Sequence, residues 1–181
     1  MNELRLSVGG MLMGRIVPLK TIVRIAEELK KQGKKVVTTN GAFDIFHVGH
    51  VRALKQARSF GDILIVGVNS DSSIRQYKGD KRPIIPENER AELVASLECV
   101  DYVVIFSERD PSVFVRIVKP GVHVKSGDYS LDCKPGEPGY LLEKKAVEDN
   151  GGKIMIVPLV NGFSTTSIIK KISEAYGQEH H

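Results

Sequence analysis

The sequence predicts an α/β fold, a doubly wound three-layer α/β/α sandwich with a mainly parallel five-stranded sheet. Short apolar runs alternate with amphipathic helical stretches five times, the pattern of parallel strands joined by helical crossovers. One run, Ile63-Leu64-Ile65-Val66-Gly67-Val68, is apolar throughout rather than alternating, which suits a strand covered on both faces. Polar and glycine-bearing segments follow the runs, at residues 40–50, 69–71, 125–128 and 161–166. In this Rossmann-like arrangement the carboxyl ends of the strands collect ligands, so those segments are expected to converge on one pocket.

Residues 1–17 show no clear periodicity and read as an N-terminal arm. Pro18 to Gln32 reads as a helix, with Ile22, Ile25, Ala26 and Leu29 on one face and Gly33 ending it. The Lys30-Lys31 and Lys34-Lys35 pairs are expected to be its solvated ends. Lys35–Thr39 is the first strand; after a glycine-containing turn, Val51, Leu54 and Ala57 mark a helix that stops near Gly61. Asp62–Val68 is the second strand, and Ser70 or Asp71 caps a short helix through Tyr77. Lys78-Gly79-Asp80-Lys81-Arg82-Pro83 is a basic turn. Pro86, Glu87 and Glu89 open the next helix, whose first turn favours proline and negative charge. Asp101–Phe106 and Gly121–Lys125 are the third and fourth strands, separated by a helix that Asp110-Pro111 opens. Ser126-Gly127-Asp128-Tyr129 follows, and Ser130 to Gly139, with Pro135, Gly136 and Pro138, is the long irregular loop, a length associated with functional segments in compact domains. Leu141–Asn150 is a helix stopped by Gly151-Gly152, Lys153–Pro158 the last strand and Ser164–Tyr176 the last helix. Residues 177–181 form a tail, whose His180-His181 reads as a tag remnant.

The chemistry concentrates in Asn40-Gly41-Ala42-Phe43-Asp44-Ile45-Phe46-His47-Val48-Gly49-His50. Strand, tight turn and helix in that order present free backbone N–H groups to a phosphate. His47 and His50 add side-chain donors, and Gly49 between them has no side chain to crowd the approach. Both rings can therefore converge on one small anion, and a nucleoside triphosphate fits. The alternatives are a capping or packed histidine, a chance spacing, or half of a zinc site. Zinc needs further ligands, and His123, His180, His181, Cys99 and Cys133 stand at no ligand-like spacing.

At 181 residues, one domain with a two-sided core is expected. A hydrophobic fraction of 41% and a charged fraction of 27% are those of a soluble globular chain, and no apolar stretch reaches membrane-span length. No segment has the form of a secretory signal, and two distant cysteines suggest no disulfide framework. A cytoplasmic protein with no membrane partner is expected. The net charge of +4 comes from scattered basic residues without interleaved aromatics, so a polyphosphate substrate accounts for it and no nucleic-acid partner is expected.

Gly41–His50 resembles the G-x-F-D-x-x-H-x-G-H signature of the cytidylyltransferase-like nucleotidyltransferases. The likeness continues in order. Val68-Asn69-Ser70-Asp71 resembles the family's loop after the second strand and Tyr77-Lys78-Gly79 its lysine-glycine turn. Glu87-Asn88-Glu89-Arg90 resembles the E-x-x-R helix start, Val100-Asp101 the V-D before the next strand, and Gly162-Phe163-Ser164-Thr165-Thr166 the closing G-x-S-T-T. The motifs run from residue 40 to about 172, which makes residues 18–176 the expected nucleotidyltransferase domain. Finer features resemble the adenylyltransferase half of the bifunctional ADP-heptose synthases: Thr39-Asn40-Gly41, Lys78 to Pro83, Val124-Lys125-Ser126-Gly127-Asp128-Tyr129 and Ser164 to Ile169. Those enzymes join AMP from ATP to D-glycero-β-D-manno-heptose 1-phosphate. No sugar-kinase half is present in the sequence, which implies a stand-alone second-step enzyme. Two departures stand out. Ser126 replaces a glycine of V-K-G-G-D-Y, and Leu159-Val160 replaces the R-T pair of glycerol-phosphate and choline-phosphate cytidylyltransferases. The alternatives are a cytidylyltransferase for glycerol 3-phosphate or a similar alcohol phosphate, and a non-catalytic nucleotide-binding module.

The resemblance implies in-line transfer from ATP, with Mg2+ on the phosphates and no protein ligand to the metal named. His47, His50 and Lys78 are the expected catalytic groups; a solvated loop lysine is the alternative for Lys78. Asn40, Gly41, Phe43, Gly49, Asn69, Asp71, Arg90, Ser164, Thr165 and Thr166 are expected to bind the nucleotide. For Arg90 the rival is a surface ion pair within residues 87–92, and for the Ser164-Thr165-Thr166 run it is helix capping. Asp44, Lys125, Gly127 and Asp128 are expected at the acceptor, with a structural turn contact as the rival for Asp44. A homodimer or larger homo-oligomer is expected from the family.

Overall fold

A computed structural model describes residues 7–8, 11–158 and 162–177. Strands β1 (Ser7–Val8) and β2 (Met11–Leu12) form a short antiparallel pair. There follow β3 (Arg15–Ile16), α1 (Leu19–Lys31), β4 (Val36–Gly41), α2 (Val48–Arg58), β5 (Ile63–Asn69), α3 (Asp71–Lys78) and α4 (Glu87–Ala95). The chain continues through β6 (Tyr102–Phe106), α5 (Ser112–Val118), β7 (Val122–Ser126), α6 (Lys144–Asp149), β8 (Lys153–Val157) and α7 (Thr165–Tyr176). Strands β3 to β8 form one sheet in the order β3-β6-β5-β4-β7-β8, with every pairing parallel.

Successive residues of a strand point to opposite faces, so continuous apolar strands furnish two cores at once. Val37, Leu64, Val66 and Val103 pack on one face with Leu54 and Ala57 of α2 and Ala91 and Val94 of α4. Val36, Ile65 and Val104 turn the other way, to Ile22 and Ala26 of α1, Phe114 and Val118 of α5 and Val147 of α6. Each fully buried aliphatic side chain contributes roughly 1.5–3 kcal/mol, so packing on the sheet, not intrinsic propensity, holds these short helices. Gly67 is part of that fit. A Cβ there would lie 3.1 Å from carbons of Phe106 and of Phe114, whose rings stack with centroids 5.5 Å apart.

The sheet has six strands rather than the expected five. β3 adds to the outer edge of β6, with Arg15 opposite Tyr102 and Ile16 opposite Val103. It is fixed by Gly14 N–H to the Ala95 carbonyl (2.8 Å) and Val17 N–H to the Val103 carbonyl (2.9 Å). A two-residue strand has no period to detect, which is why it vanished into a stretch read as an arm. Lys30 is also not a merely solvated helix end. Its Nζ donates to the carbonyls of Val118 (3.0 Å) and Lys119 (3.3 Å), where the carboxyl end of α5 favours a cation. Ser70, not Asp71, caps α3, accepting from the Ser73 N–H at 3.1 Å. α6 is shorter than the expected helix over 141–150. Among the described residues no helix is long and apolar enough to cross a membrane.

From the central β4 the chain moves outward through β5 and β6, then returns to place β7 and β8 on β4's other side. Such a reversal opens a crevice at the carboxyl ends of the two strands that flank it. Here those ends are Gly41 and Ser126.

Candidate active site

The turn after β4 is strained and firmly held. Phe43 and Ile45 both take left-handed backbone conformations, with φ of 50° and 51°. For a β-branched residue such as Ile45 that is a true outlier, and each such position costs on the order of 1–3 kcal/mol. Asp44, between them, offsets this. Its buried carboxylate accepts the N–H groups of Ile84 (3.0 Å) and Ile85 (3.0 Å) and the Nε of Arg82, whose guanidinium also pairs with it. Burial alone would raise the Asp44 pKa; the Ile85 and Ile84 N–H groups and Arg82 outweigh it and hold the group below the usual carboxylate value. The Asp44 carbonyl oxygen accepts Thr165 Oγ1 at 3.1 Å, so α7 is tied to the same turn.

Arg90 completes the support from behind. It is fully buried, donating from Nη1 to the Ala42 carbonyl, from Nε to the Ile85 carbonyl (2.8 Å) and from Nη2 to Asp71 Oδ1 (2.7 Å). The rival reading for Arg90, a surface ion pair within residues 87–92, does not hold: the side chain is buried and its carboxylate partner is Asp71. The same contacts place Arg90 and Asp71 behind the turn instead of on the cavity wall, where nucleotide contacts were expected. The reason is topological: α4 packs beneath the turn, and the N–H groups of the guanidinium match the carbonyls that a left-handed turn leaves without helix or sheet partners.

His47 is the N-cap of α2, its Nδ1 accepting the Gly49 N–H at 3.1 Å, and His50 Nδ1 accepts the His47 N–H at 3.3 Å. An Nδ1 that accepts carries no proton, so each neutral ring holds its hydrogen on Nε2 and presents it as a donor. The rings stack with centroids 3.9 Å apart and planes inclined by 23°, and Phe46 also stacks with His50, at 5.2 Å. Burial, then His47, then Lys78 push the His50 pKa down to about 4; burial lowers that of His47. Two charged rings at this separation would repel, so the free site keeps them neutral. Gly49 is required by contact. A Cβ there would lie 2.9 Å from both Cε1 and Nδ1 of His47.

A cavity of about 890 Å³ opens at the crevice, within the range that holds nucleotide-sized ligands. Of the residues singled out in the sequence, Asn40, Gly41, Phe43, Asp44, His47, Gly49, His50, Asn69, Lys78, Lys125, Ser164 and Thr165 border it. Thr166, Gly127 and Asp128 do not, and neither do Asp71 and Arg90. Asn69 is held by its Nδ2 donating to Ser73 Oγ (3.1 Å). Ser164 caps α7 by accepting the Ser167 N–H at 3.1 Å, so its side chain has a structural partner. Burial, then Arg82, lower the Lys78 pKa. Lys125 Nζ pairs with Glu143 Oε1 (2.6 Å), donates to Asn40 Oδ1 (3.2 Å) and lies 5.3 Å from the Tyr129 ring centroid. Residues 159–161, with the Leu159-Val160 departure, lie outside the described residues.

Sequence reasoning missed Arg109, Tyr129 and Phe163, all on the cavity wall, and Glu143 behind it. For Arg109 a signal existed: it follows the strand Asp101–Phe106, and the carboxyl ends of strands are where ligands collect in this fold. Among the described residues no cluster of three or more His, Cys, Asp or Glu is arranged to hold a metal ion. The arrangement offers neutral Nε2–H donors, cations at Lys78 and Arg109, and the N-termini of α2 and α7. That set suits a polyphosphate and includes no Ser-His-Asp or Cys-His nucleophile.

Comparison with known proteins agrees. The chain is 48% identical over 165 residues to the bifunctional protein HldE of Geobacter sulfurreducens, covering 91% of this chain and 32% of that one. With HldE of Aliarcobacter butzleri the identity is 46%, covering 88% and 31%. The chain thus spans about a third of the length of these curated relatives. Among solved structures, a lipopolysaccharide core biosynthesis protein from Thermoplasma volcanium is 30% identical with a TM-score of 0.54, covering 71% of this chain and 98% of that one. Pantoate-β-alanine ligase from Francisella tularensis superposes with a TM-score of 0.59 at 19% identity, covering 91% and 80%, a likeness of fold alone. The model of the cytidylyltransferase-like family matches residues 38–171. That span runs from β4 into α7 and takes in every wall of the cavity, and on it the chain belongs to the cytidylyltransferase-like nucleotidyltransferases.

Proposed function

We propose that the protein transfers AMP from ATP to a sugar 1-phosphate, D-glycero-β-D-manno-heptose 1-phosphate, giving ADP-heptose and pyrophosphate in the cytoplasm. The observation that carries the chemistry is the stacked histidine pair, whose Nδ1 atoms are occupied by backbone N–H groups so that both Nε2–H groups remain as donors. The likeness to the HldE proteins supports the choice of nucleotide and acceptor.

An ionised phosphate oxygen of the acceptor attacks the α-phosphorus of ATP. The new P–O bond forms as the bond to the β-phosphate bridging oxygen breaks, and pyrophosphate leaves with that electron pair. The attacking oxygen has no proton to lose, so the site needs no general base. His47 and His50 donate to the triphosphate oxygens as charge builds, and Lys78 contributes a point charge from the end of α3. The N-terminus of α7, at Ser164 and Thr165, offers backbone N–H groups to the outgoing phosphates. Lys125 faces the acceptor. The carboxylates on the cavity wall have partners, Asp44 with Arg82 and two N–H groups and Asp110 with Ser112, so the donor set fits magnesium carried by phosphate oxygens and water. Magnesium bound in this way would shield the triphosphate charge.

The test is magnesium-dependent pyrophosphate release from ATP with D-glycero-β-D-manno-heptose 1-phosphate, run beside CTP with glycerol 3-phosphate. Release only with the first pair is expected. Release only with CTP would replace the adenylyl reading by the cytidylyl one. Nucleotide binding without release from either pair would favour a non-catalytic module.

A further inference from the structure

Behind the cavity, five polar side chains form a ladder across the boundary between β4 and β7, four from the two strands and one, Glu143, from the start of α6. Thr38 and His123, opposite one another in the register, are both fully buried, and Thr38 Oγ1 lies 2.8 Å from His123 Nδ1. His123 Nε2 lies 3.5 Å from Glu143 Oε1, and the same oxygen lies 2.6 Å from Lys125 Nζ. Lys125, two residues along β7 and so on the same face as His123, reaches across to Asn40 Oδ1 at 3.2 Å. Only Lys125 and Asn40, at the end of this ladder, border the cavity.

The ladder is expensive for a protein core. A buried ion pair is weak as a stabilising device, because apolar residues of similar volume commonly serve as well, and the other face of β7 carries Val122 and Val124. Its charge states follow from its partners. Burial holds His123 below its ordinary pKa, hence neutral. Burial alone would raise Glu143, but the neighbouring His123 ring and the charge of Lys125 bring it to about 2. Glu143 Oε1 is the group facing His123 Nε2, at 3.5 Å without a well-directed hydrogen bond, so a neutral His123 carries its hydrogen on Nε2 and accepts the Thr38 hydroxyl at Nδ1, and an ionised Glu143 faces Lys125. An ammonium has three donors. Asn40 Oδ1 accepts one and the Glu143 carboxylate lies 2.6 Å from Nζ as an ion pair, so donor capacity remains for a ligand in the cavity.

We propose that Glu143, braced by His123 and Thr38, is the positioning residue for Lys125, holding its ammonium at the β4–β7 crevice where the anionic group of the acceptor binds. This rests on the reading that this end of the cavity takes the acceptor. A lysine stem is flexible, and without the carboxylate the ammonium leaves Asn40 for solvent.

The experiment compares Glu143→Gln, Lys125→Met and the double variant in adenylyl transfer, together with a crystal structure of Glu143→Gln. Glu143→Gln is expected to raise the KM for the sugar phosphate about tenfold, while the KM for ATP and kcat stay within about twofold, a split that general loss of structure would not produce. In the Lys125→Met background, Glu143→Gln should add nothing. An unchanged acceptor KM, or the same effect with and without Lys125, overturns the proposal. Should Glu143→Gln not fold, Glu143→Asp keeps the charge but withdraws it, and the same rise in acceptor KM is expected. If the wild type transfers to no acceptor offered, the functional reading fails instead, and the crystal structure decides the positioning role. Lys125 Nζ still bonded to Asn40 overturns it; Nζ displaced supports it.

Discussion

Lowering the pH of the ligand-free protein from 7 toward 4 probes the histidine pair. His50 is held near 4 against an ordinary value of 6.5, by burial first and by His47 and Lys78 after it. Its folded pKa lies below its unfolded one, so the unfolded chain binds more protons between these values and stability falls as the pH falls through that window. At about 1.36 kcal/mol per pH unit the full linkage is about 3 kcal/mol. The ring borders the cavity and water screens it, which reduces the expected loss to about 1–2 kcal/mol. Asp44 and Glu143 have lowered pKa values, so their contribution is lost only further down, as the pH falls below ordinary carboxylate values. His47 and His123 share the sign of His50, and the comparison with His50→Gln removes them. A glutamine amide can accept the His47 N–H and still present N–H donors, but it does not titrate. Urea unfolding at several pH values between 7 and 4.5 is expected to show a steeper fall for the wild type than for His50→Gln. Ring NMR should find the His50 hydrogen on Nε2 and its midpoint near 4. Equal slopes, or a His50 midpoint at 6.5, would refute the account of a buried, stacked, neutral pair.

His47→Ala and His50→Ala should each lower kcat by ~10²–10³ with the fold intact by circular dichroism; near-normal turnover in either would remove the histidines from the mechanism. Gly49→Ala sets two effects against each other: alanine favours the helix by up to about 1 kcal/mol, while its Cβ, 2.9 Å from the His47 ring, forces that ring to move. Little change in melting temperature with a rate loss of about 10² is expected. Arg90→Met leaves the Ala42 and Ile85 carbonyls and Asp71 without their partner. Breaking a buried pair costs about 3–5 kcal/mol, and with the Asp71 side chain 23% exposed the lower end is expected in urea unfolding; a loss below ~1 kcal/mol would mean the pair behaves as a surface one. Lys30→Met removes two bonds to the end of α5 and should lower stability by about 0.5–1 kcal/mol, read as a small fall in melting temperature.

What the sequence by itself determined is whatever is local. The apolar run at 63–68, the capping serines and the Gly49 gap between two histidines speak through periods and neighbours a few residues apart. They announced parallel strands, their order along the chain and the turn that bears the histidines. Tertiary structure decided which side of the cavity wall each residue occupies. The Glu87-Asn88-Glu89-Arg90 helix start was legible, but Arg90 proved to be a brace for Ala42 because α4 packs under the turn. β3 escaped notice because two residues carry no period, and only the free edge of β6 makes them a strand. Lys125 and Asn40 meet across 85 residues because the strand order reverses between β4 and β7, and Glu143 joins them from the start of α6, a position whose partner no local pattern names. Backbone conformation is set largely by near neighbours. Contacts between distant side chains are set by strand order, and in this protein strand order is the outcome of burying both faces of one sheet.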